Sequence, residues 1–546
     1  MASTVNPFAR LGQLLREEKT EISSIYFYAI LSGLIQLSLP LGIQSIIGFV
    51  LGGALSTSLV ILITFVVVGV ACNGLLQIGQ MKVIERIQQK IFVRYSFAFT
   101  THIPKLDLPQ TDGWYLPELV NRFFDIPVLQ KSISKLLLDF PIAITQILLG
   151  LLMLSFYHPA FIAFGILLLL LLAAIFFITG NRGFETSLEK STHKYAVAAW
   201  LEEMARVVKQ FKFSAHTGLH SRRSDEKIVS YLQARTSHFR ILLLQYKVLI
   251  VFKVLITAAM LVVGCLLLLD QQINIGQFVA AEIIIILVIN SVEKLIVNLD
   301  SVYSALTSVE KINKLMDKPV EAEGTLSLTT GAVKVEFRNV SFAYSDGKKI
   351  LNNLSFVINP GDKVLFNGPN GSGKSTVLKL LTGGYTAFKG SILINDVPIG
   401  NYNLQSLRSQ TGILLHQQDV FLGTIWENLT MGAADVDNEY LHYLCRETGL
   451  HNFIALQKTG FDTPLQPMGK QLPGGVIKRI LLVRLLLQKP KLLLIEEPYN
   501  SIEGEDKKRV QDLLLQPKDT TVIAVSIDKA FAGLYNNIIS LDEKTN

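Results

Sequence analysis

A short glycine-rich segment carries the residue types that bind phosphate groups. Residues 368–376 read Gly-Pro-Asn-Gly-Ser-Gly-Lys-Ser-Thr, follow the strand-like Val364–Phe366 and precede the apolar, helix-like Val377–Leu381. In a strand–loop–helix arrangement, glycines let backbone N–H groups turn towards phosphate oxygens, and the helix N-terminus adds a favourable dipole. The pattern predicts that the lysine reaches the β- and γ-phosphates of ATP and that the first hydroxyl binds Mg²⁺. The predicted ATP-binding residues of this P-loop are Gly368, Asn370, Gly371, Gly373, Lys374, Ser375 and Thr376.

Two adjacent carboxylates follow a second strand-like run. The mostly apolar segment Lys491–Ile495 leads directly into Glu496, Glu497 and Pro498. A buried strand that delivers two carboxylates suits one of them to metal binding and the other to positioning the attacking water. We therefore predict that Mg²⁺ is held by Ser375 and Glu496, and that Glu497 is the catalytic residue.

The composition predicts that these motifs belong to a membrane protein. Of 546 residues, 50% are hydrophobic and only 17% are charged, and the apolar residues concentrate before about residue 300. Six stretches are long enough to cross a bilayer as helices. The predicted spans are 24–46, 58–79, 136–157, 159–180, 247–269 and 275–298. The expected fold is an all-α transmembrane domain of six helices in residues 1–316, a linker in 317–332, and an α/β P-loop NTPase domain in 333–546.

Lysine and arginine residues cluster in two of the loops that join the spans. The loop after the second span includes Lys82, Arg86 and Lys90, and the loop after the fourth includes Arg222 and Arg223. The positive-inside rule places these loops, both termini and the ATP-binding half in the cytoplasm. The same excess accounts for the net charge of +7, and no nucleic-acid-binding motif accompanies it, so nucleic acid is not an expected partner.

Three ionisable residues lie within or beside the predicted spans. Glu282 is about two turns inside the last span, where it either lines a substrate cavity or reaches water at the outer interface. Lys253 and Asp139 lie near the cytoplasmic ends of their spans, which favours snorkelling to the interface or a cytoplasmic position.

Further segments resemble the ATP-binding cassette of ABC transporters, in matching order through residues 333–528. Phe342-Ala-Tyr344 resembles the aromatic loop, which implies that Tyr344 stacks on adenine. Leu472-Pro-Gly-Gly-Val476 resembles the signature that usually reads LSGGQ, which implies that Pro473, Gly474 and Gly475 contact ATP bound to an opposing subunit. The six-span plan resembles the exporter class and implies an exporter-type half-transporter. A proline in the first span gives a faint similarity to bacterial peptide and protein secretion exporters, and implies the bacterial cytoplasmic membrane.

Several positions depart from the family pattern. His416 occupies the glutamine-loop position, Pro473 the signature serine, and Glu496 the usual aspartate of the magnesium-binding strand. Ile527 occupies the position of the switch histidine and cannot hydrogen-bond the γ-phosphate. Losing one donor aimed at transition-state charge costs about 2.7–4 kcal/mol, or 10²–10³ in rate. We therefore expect a degenerate cassette in which ATP binding is intact and hydrolysis is slow.

The resemblance leaves the partner and the cargo open. Cassettes of this family work as head-to-tail pairs, and altered signature and switch positions in one chain would compromise both sites of a heterodimer. A homodimer is therefore favoured, and a heterodimer remains open. The leading hypothesis is ATP-driven export of a peptide, a lipid or another amphiphile. The alternative is an ATP-binding membrane regulator with little or no hydrolysis, which the changes at Pro473 and Ile527 favour.

Overall fold

The computed structural model describes residues 6–51, 57–111, 115–214, 217–328, 331–344, 347–416, 418–526 and 528–541. It divides into two compact units. The first, here called the helical unit, comprises Met1–Pro104 and Tyr115–Lys318. The second, the sheet unit, comprises Lys105–Trp114 and Pro319–Asn546.

Long helices make up the helical unit. Within the described residues up to Met316, the helices in chain order are α1 Pro7–Glu17, α2 Lys19–Gln36, α3 Ser38–Leu51, α4 Thr57–His102, α5 Leu108–Thr111, α6 Leu116–Val120, α7 Asp125–Tyr157, α8 Ala160–Arg206, α9 Val208–Phe213, α10 Leu219–Leu269, α11 Ile275–Val297 and α12 Leu299–Met316. Of these, α5 belongs to the sheet unit. The prediction of an all-helical first half is confirmed.

Six helical stretches in the described part of the chain are long and apolar enough to cross a membrane, as predicted. They are Lys19–Leu51, Thr57–Lys105, Leu116–Tyr157, Phe161–Arg206, Leu219–Leu269 and Ile275–Met316. Most extend well beyond the predicted apolar spans. The protein is therefore an integral membrane protein with six spans, several of which continue as polar helix.

The first span is not one straight helix. It breaks at Leu37, between α2 and α3, and Pro40 lies in the first turn of α3. Proline has no N–H and its ring crowds the carbonyl four residues earlier, which is that of Gln36. The helix therefore ends at Gln36 and restarts, a break that hydrophobicity alone does not reveal.

Glycines allow the helices of this unit to approach each other closely. A Cβ atom on Gly150 of α7 would lie 2.5 Å from a methyl carbon of Val288 in α11. A Cβ atom on Gly183 of α8 would lie 2.3 Å from the ring of Tyr303 in α12. Between membrane helices, where lipid is as apolar as a leucine side chain, such close packing is a main source of association.

The sheet unit alternates strands and helices. Its strands are β1 Val335–Ala343, β2 Lys349–Ile358, β3 Lys363–Asn367, β4 Phe388–Ile394, β5 Val397–Pro398, β6 Thr411–Leu414, β7 Gly423–Thr424, β8 Pro464–Leu465, β9 Leu492–Glu496, β10 Thr521–Val525 and β11 Asn537–Ser540. Its later helices are α13 Lys374–Leu381, α14 Leu404–Ser409, α15 Ile425–Thr430, α16 Asn438–Glu447, α17 Leu450–Ala455, α18 Gly474–Leu487 and α19 Gly504–Leu515.

The strands form two main sheets in this unit. The order β2-β1-β4-β5 is antiparallel, and the order β11-β3-β10-β9-β6 is parallel at every pairing. The buried parallel strands β3, β9 and β10 are rich in β-branched and leucine residues, as a sheet covered on both faces requires. Their carboxyl ends meet at one edge, the usual place for a ligand in such a sheet. The predicted α/β fold of this half is confirmed.

A short segment from early in the chain is part of the sheet unit. The backbone N–H of Asp107 donates to the carbonyl of Pro319 at 3.0 Å, and that of Glu321 donates to the carbonyl of Lys105 at 2.9 Å. The two carboxylate oxygens of Glu321 also accept hydrogen bonds from the two terminal nitrogens of Arg408, each at 2.7 Å. Residues 105–114 lie inside the predicted transmembrane domain, and Glu321 inside the predicted linker. The compact units therefore divide the chain differently from those boundaries, which stay a prediction.

Candidate functional site

The glycine-rich loop joins β3 to α13, as its sequence context predicts. Gly368 and Gly373 have φ angles of 152° and 92°, in the region that side chains disfavour. A Cβ atom on Gly368 would lie 2.3 Å from the carbonyl oxygen of Leu541, and one on Gly373 would lie 2.6 Å from Leu351. Both glycines are therefore required by backbone conformation and by space.

Lys374 opens α13 and its side chain turns back across the loop. Its Nζ donates to the carbonyl oxygens of Gly368 and Pro369, each at 2.7 Å. The residue is 6% exposed. Burial lowers the pKa of this ammonium below its ordinary value, and the carboxylates of Glu497 and Glu496 oppose that shift. A cation is thus held against the glycine-rich loop, which suits a triphosphate.

The two predicted magnesium ligands meet, although they are far apart in the chain. The Ser375 hydroxyl at the start of α13 donates to one oxygen of Glu496, which ends β9. The other Glu496 oxygen accepts from the backbone N–H of His416 at 2.9 Å. A hydroxyl oxygen beside a carboxylate is a donor set of the kind that Mg²⁺ takes next to bound phosphate. The residues present therefore fit the predicted ion.

A cavity of about 650 Å³ brings most of the predicted site residues together. This volume is in the range of small-ligand pockets. The predicted residues that line it are Asn370, Gly371, Gly373, Lys374, Ser375, Thr376, His416, Glu496 and Glu497. The sequence did not indicate four other lining residues, namely Ile350, Asn500, Val525 and Asp528.

Tyr344, the residue predicted to stack on adenine, lies beside this cavity. Its hydroxyl is 3.2 Å from the hydroxyl of Thr376. Its ring contacts Phe342 edge-on, and the ammonium of Lys379 lies 5.4 Å from its centroid. The aromatic ring is thus placed at the P-loop helix, and its stacking on adenine stays a prediction.

Glu497 is fixed from both its backbone and its side chain. It has a left-handed backbone conformation, with φ 46°, and its N–H donates to the carbonyl of Val525 at 2.8 Å. The Ser526 hydroxyl donates to a carboxylate oxygen of Glu497 at 2.9 Å, and Ser526 is 1% exposed. Nothing in the sequence marked Ser526, since it becomes a neighbour of Glu497 only when β9 pairs with β10.

Lys478 of α18 is a second contact that the sequence did not reveal. Its Nζ donates to the backbone carbonyl of Glu496 at 3.0 Å. Burial lowers the pKa of Lys478 to about 8, and the nearby carboxylates of Glu497 and Glu496 oppose the shift. The helix that carries the signature-like segment is therefore tied directly to the strand end that carries the two carboxylates.

The signature-like residues are at the start of α18 and apart from the phosphate cavity of the same chain. Pro473 precedes the helix, and both Pro473 and Gly474 are exposed. A Cβ atom on Gly475 would lie 2.5 Å from the carbonyl oxygen of Ser501, so this position requires glycine. Pro473 offers neither the hydroxyl nor the N–H of a serine. Ile527, at the predicted switch position, lies outside the described residues.

Comparisons with known proteins agree with this architecture. Residues 23–292 match the family model of the ABC transporter transmembrane region, and residues 351–500 match the ABC transporter family model. Over 96% of its length, the chain superimposes on 93% of a bacterial Atm1-family ABC exporter with ATP bound, with a TM-score of 0.80 and 18% identity. That likeness concerns the fold.

Curated relatives match over shorter stretches. Over 235 residues, the chain is 34% identical to the ABC multidrug transporter MDR2 of Trichophyton rubrum. This stretch is 41% of the chain and 17% of that relative. Over 227 residues, the chain is 31% identical to the ATP-dependent lipid A-core flippase of Saccharophagus degradans. This stretch is 41% of the chain and 39% of that relative. Matching transmembrane and cassette regions in one chain, with the geometry above, make this protein a member of the ABC transporter family with exporter-type half-transporter architecture.

Proposed function

We propose that the protein is an ATP-driven exporter that moves a peptide, lipid or other amphiphile across the membrane by alternating access. One observation carries the proposal. A buried lysine, the Ser375–Glu496 pair and the fixed Glu497 converge on one cavity at the carboxyl edge of a parallel sheet, in a chain whose other unit has six membrane spans. A structural membrane protein has no need of such an assembly.

Several residues in and beside the cavity have proposed roles in binding or hydrolysis. The backbone of Gly368–Gly373 and the Lys374 ammonium hold the phosphates, and Tyr344 stacks on adenine. Ser375 and Glu496 would hold Mg²⁺, which would supply positive charge to the phosphate oxygens. Glu497 orients and deprotonates the attacking water. The hydrogen bond from Ser526 keeps the Glu497 carboxylate in one orientation, which supports that role.

Slow hydrolysis is part of the proposal. Ile527 has no group that can hydrogen-bond the γ-phosphate, and Pro473 has no hydroxyl to place against it. Glu496 keeps the charge of the aspartate that it replaces, so binding survives. The altered positions are those that act on the transition state. The proposed turnover is therefore limited by chemistry and not by ATP affinity.

The working unit in this proposal is a homodimer. Within one chain, Gly474 and Gly475 lie apart from the phosphate cavity, and Pro473 and Gly474 are exposed. A second copy placed head-to-tail would bring these residues to the γ-phosphate and bury them. Pairing with a different, intact subunit would leave one altered element in each of the two sites. Mass measurement of the complex in detergent that finds a second type of subunit would contradict the homodimer.

We place the protein in the bacterial cytoplasmic membrane, with both termini and the ATP-binding domain in the cytoplasm. The lysine- and arginine-rich segments after the second and fourth spans support this orientation. Cysteine labelling of whole cells tests it, because a cysteine introduced near Arg222 should react only after the membrane is permeabilised.

The proposed function is tested with full-length protein in lipid nanodiscs. Mg·ATP should bind, hydrolysis should be slow, and a screened amphiphile should raise the rate. Vanadate should trap ADP in the wild type and not in the Glu497→Gln variant.

The alternative function, an ATP-binding regulator without turnover, is favoured by the changes at Pro473 and Ile527. It predicts that the protein binds ATP, that vanadate traps no ADP, and that no amphiphile raises the rate of ATP hydrolysis. Trapped ADP in the wild type would exclude it.

A further inference from the structure

A polar cavity lies within the helical unit, among helices that are otherwise mostly apolar. It has a volume of about 690 Å³ and is bounded by α2, α7 and α11. Aliphatic side chains of α11, including Ile286 and Leu287, form part of its wall. Amide and charged groups cost free energy in a membrane domain unless they have partners. The polar groups that line this cavity therefore need an explanation.

Buried amides form a hydrogen-bonded chain along one side of the cavity. Gln146 of α7 donates to the side-chain oxygen of Gln36 in α2. Ser291 of α11 donates to the side-chain oxygen of Gln146 at 2.6 Å. Gln146 and Ser291 are 5% and 1% exposed. Because three helices share this chain, the amides are held in fixed orientations before any ligand arrives.

Asn298 presents an acceptor that has no partner. Its side-chain nitrogen donates to Asp139 at 2.8 Å. Its side-chain oxygen is buried and has no hydrogen-bond partner in the described part of the chain, and the residue is 2% exposed. A buried acceptor left unpaired costs about 1–3 kcal/mol. Both Asn298 and Asp139 line the cavity, so a ligand with an N–H group can satisfy an acceptor there.

The charges of the cavity are unbalanced in favour of cations. Lys135 and Lys294 line it and are exposed, and neither has a carboxylate within ion-pair distance among the described residues. Glu293, which also lines it, is already paired with Lys253 at 2.5 Å. Asp139 is the remaining carboxylate, and the Asn298 amide holds it. The cavity thus offers two unpaired ammonium groups to an anion.

We propose that this cavity binds the C-terminal end of an aliphatic peptide, a substrate class that rests on the proposed export function. The terminal carboxylate lies between Lys135 and Lys294, and a backbone N–H donates to the free oxygen of Asn298. The peptide's aliphatic side chains pack against Ile286 and Leu287. Phosphatidylglycerol also carries a negative charge, but its headgroup has no N–H for Asn298. The combination of unpaired cations with an orphan acceptor therefore favours a peptide over an anionic lipid.

The test measures direct binding of a matched pair of peptides, without nucleotide. Full-length protein is placed in nanodiscs of phosphatidylcholine, which has no net charge. The probes are dansyl-Ala-Leu-Leu with a free carboxylate and the same peptide with a C-terminal amide. The wild type should bind the carboxylate form at least tenfold more tightly. A third probe, N-methylated at its last peptide bond, should bind about tenfold more weakly than the first, because it lacks the N–H.

Variants assign that preference to the cavity. The double variant Lys135→Gln/Lys294→Gln should reduce the preference for carboxylate to less than twofold, and the Lys135→Arg/Lys294→Arg variant should retain it. Lys82→Gln is the matched control, since Lys82 is an exposed lysine at the end of another span and does not line the cavity. All substituted lysines are exposed, so folding should be unaffected, and retained binding of a fluorescent ATP analogue checks this.

Several outcomes would overturn the proposal. They are equal binding of the carboxylate and amide peptides, no binding of either, and a loss with Lys82→Gln as large as with the cavity variants. Binding of phosphatidylglycerol that depends on both lysines, with no peptide preference, would assign the cavity to lipid instead. Failure of ATP binding or turnover would count against the proposed function alone, because the peptide measurement uses no nucleotide.

Discussion

The phosphate cavity and the signature-like helix start lie in the same sheet unit, but they relate differently to the sequence pattern of their family. At the cavity, residue types and geometry agree, since Lys374, Ser375 and Glu496 have the expected identity or charge and converge. At the start of α18, the two glycines remain but Pro473 replaces the usual serine. In the proposed function, the first region holds the ground-state phosphates and the second acts in the transition state of a dimer. The difference predicts that ATP binding and hydrolysis can be separated by substitution in this protein.

The largest expected effect comes from Lys374→Ala, which would break the intact side of the comparison. This substitution removes a buried cation from the loop, and truncating one partner of a buried charge pair costs about 2–5 kcal/mol. ATP affinity should fall by about 10³-fold, as measured with a fluorescent ATP analogue. Lys389→Ala, at an exposed lysine of the same unit, is the control. Unchanged affinity in Lys374→Ala would refute the assignment of the cavity to ATP.

Glu497→Gln should separate binding from turnover. Loss of a general base lowers rates by about 10²–10⁴-fold, and the lower value is expected because a slow site has less rate to lose. Turnover of radiolabelled ATP should fall by about 10²-fold, while ATP affinity stays within about twofold. Glu505→Gln, at an exposed carboxylate in the first turn of α19, controls for loss of charge. Equal turnover of Glu497→Gln and wild type would exclude a role for Glu497.

Much of this architecture could be predicted because its signals are local. The β3–loop–α13 unit and the carboxylates at the end of β9 follow from contiguous residues, and the spans follow from apolar length. Contacts between distant residues were not predictable. Asp139 and Lys253 were expected at the membrane interface or in the cytoplasm, which stays a prediction, and the sequence did not indicate that they pair with Asn298 and Glu293. Aliphatic residues at helical spacing give the same sequence pattern whether they face lipid or a cavity.

The same limit applies at the catalytic edge. Ser526 and Lys478 are ordinary residues in the sequence, and they contact Glu497 and the Glu496 carbonyl only because β10 and α18 pack beside β9. The helix break at Leu37 was also missed, although Pro40 three residues later was a signal that could have indicated it. Propensity predicts elements, whereas tertiary pairing decides which side chains become partners.

Ile527→His should sharpen the comparison by restoring a donor on the altered side. One donor aimed at transition-state charge contributes about 10²–10³ in rate. The surrounding residues are not arranged to orient a histidine, so the expected gain in kcat is smaller, about 30-fold. ATP affinity should change little. Ile527→Phe, an apolar ring of similar size, is the control, and an equal gain from phenylalanine would show that hydrogen bonding is not the cause.

Ser526→Ala tests whether the position of Glu497 depends on its hydroxyl partner. A hydrogen bond to a charged group contributes about 1.5–3 kcal/mol, and part of that should appear as a roughly tenfold fall in kcat with KM unchanged. Ser526→Thr keeps the hydroxyl and should retain most of the rate. In a Glu497→Gln background the Ser526→Ala change should have almost no further effect. Additive losses would show that the two residues act independently.

Pro473→Ser should have the smallest effect, and it tests the altered side where two chains would meet. A serine adds a hydroxyl and an N–H at the exposed start of α18, each able to donate to a γ-phosphate held by the opposing copy. A net hydrogen bond contributes about 0.5–1.5 kcal/mol, so we expect a gain in kcat of about threefold. Pro473→Ala restores the N–H alone and separates the two donors. Because the residue acts across the proposed dimer interface, the gain should appear in a mixed dimer of a wild-type chain and a Pro473→Ser/Glu497→Gln chain, since the intact Glu497 then faces the new serine. It should be absent from a mixed dimer of a Pro473→Ser chain and a Glu497→Gln chain, in which the intact Glu497 faces a wild-type signature. If the gain were confined to sites within the substituted chain, the head-to-tail arrangement would be wrong.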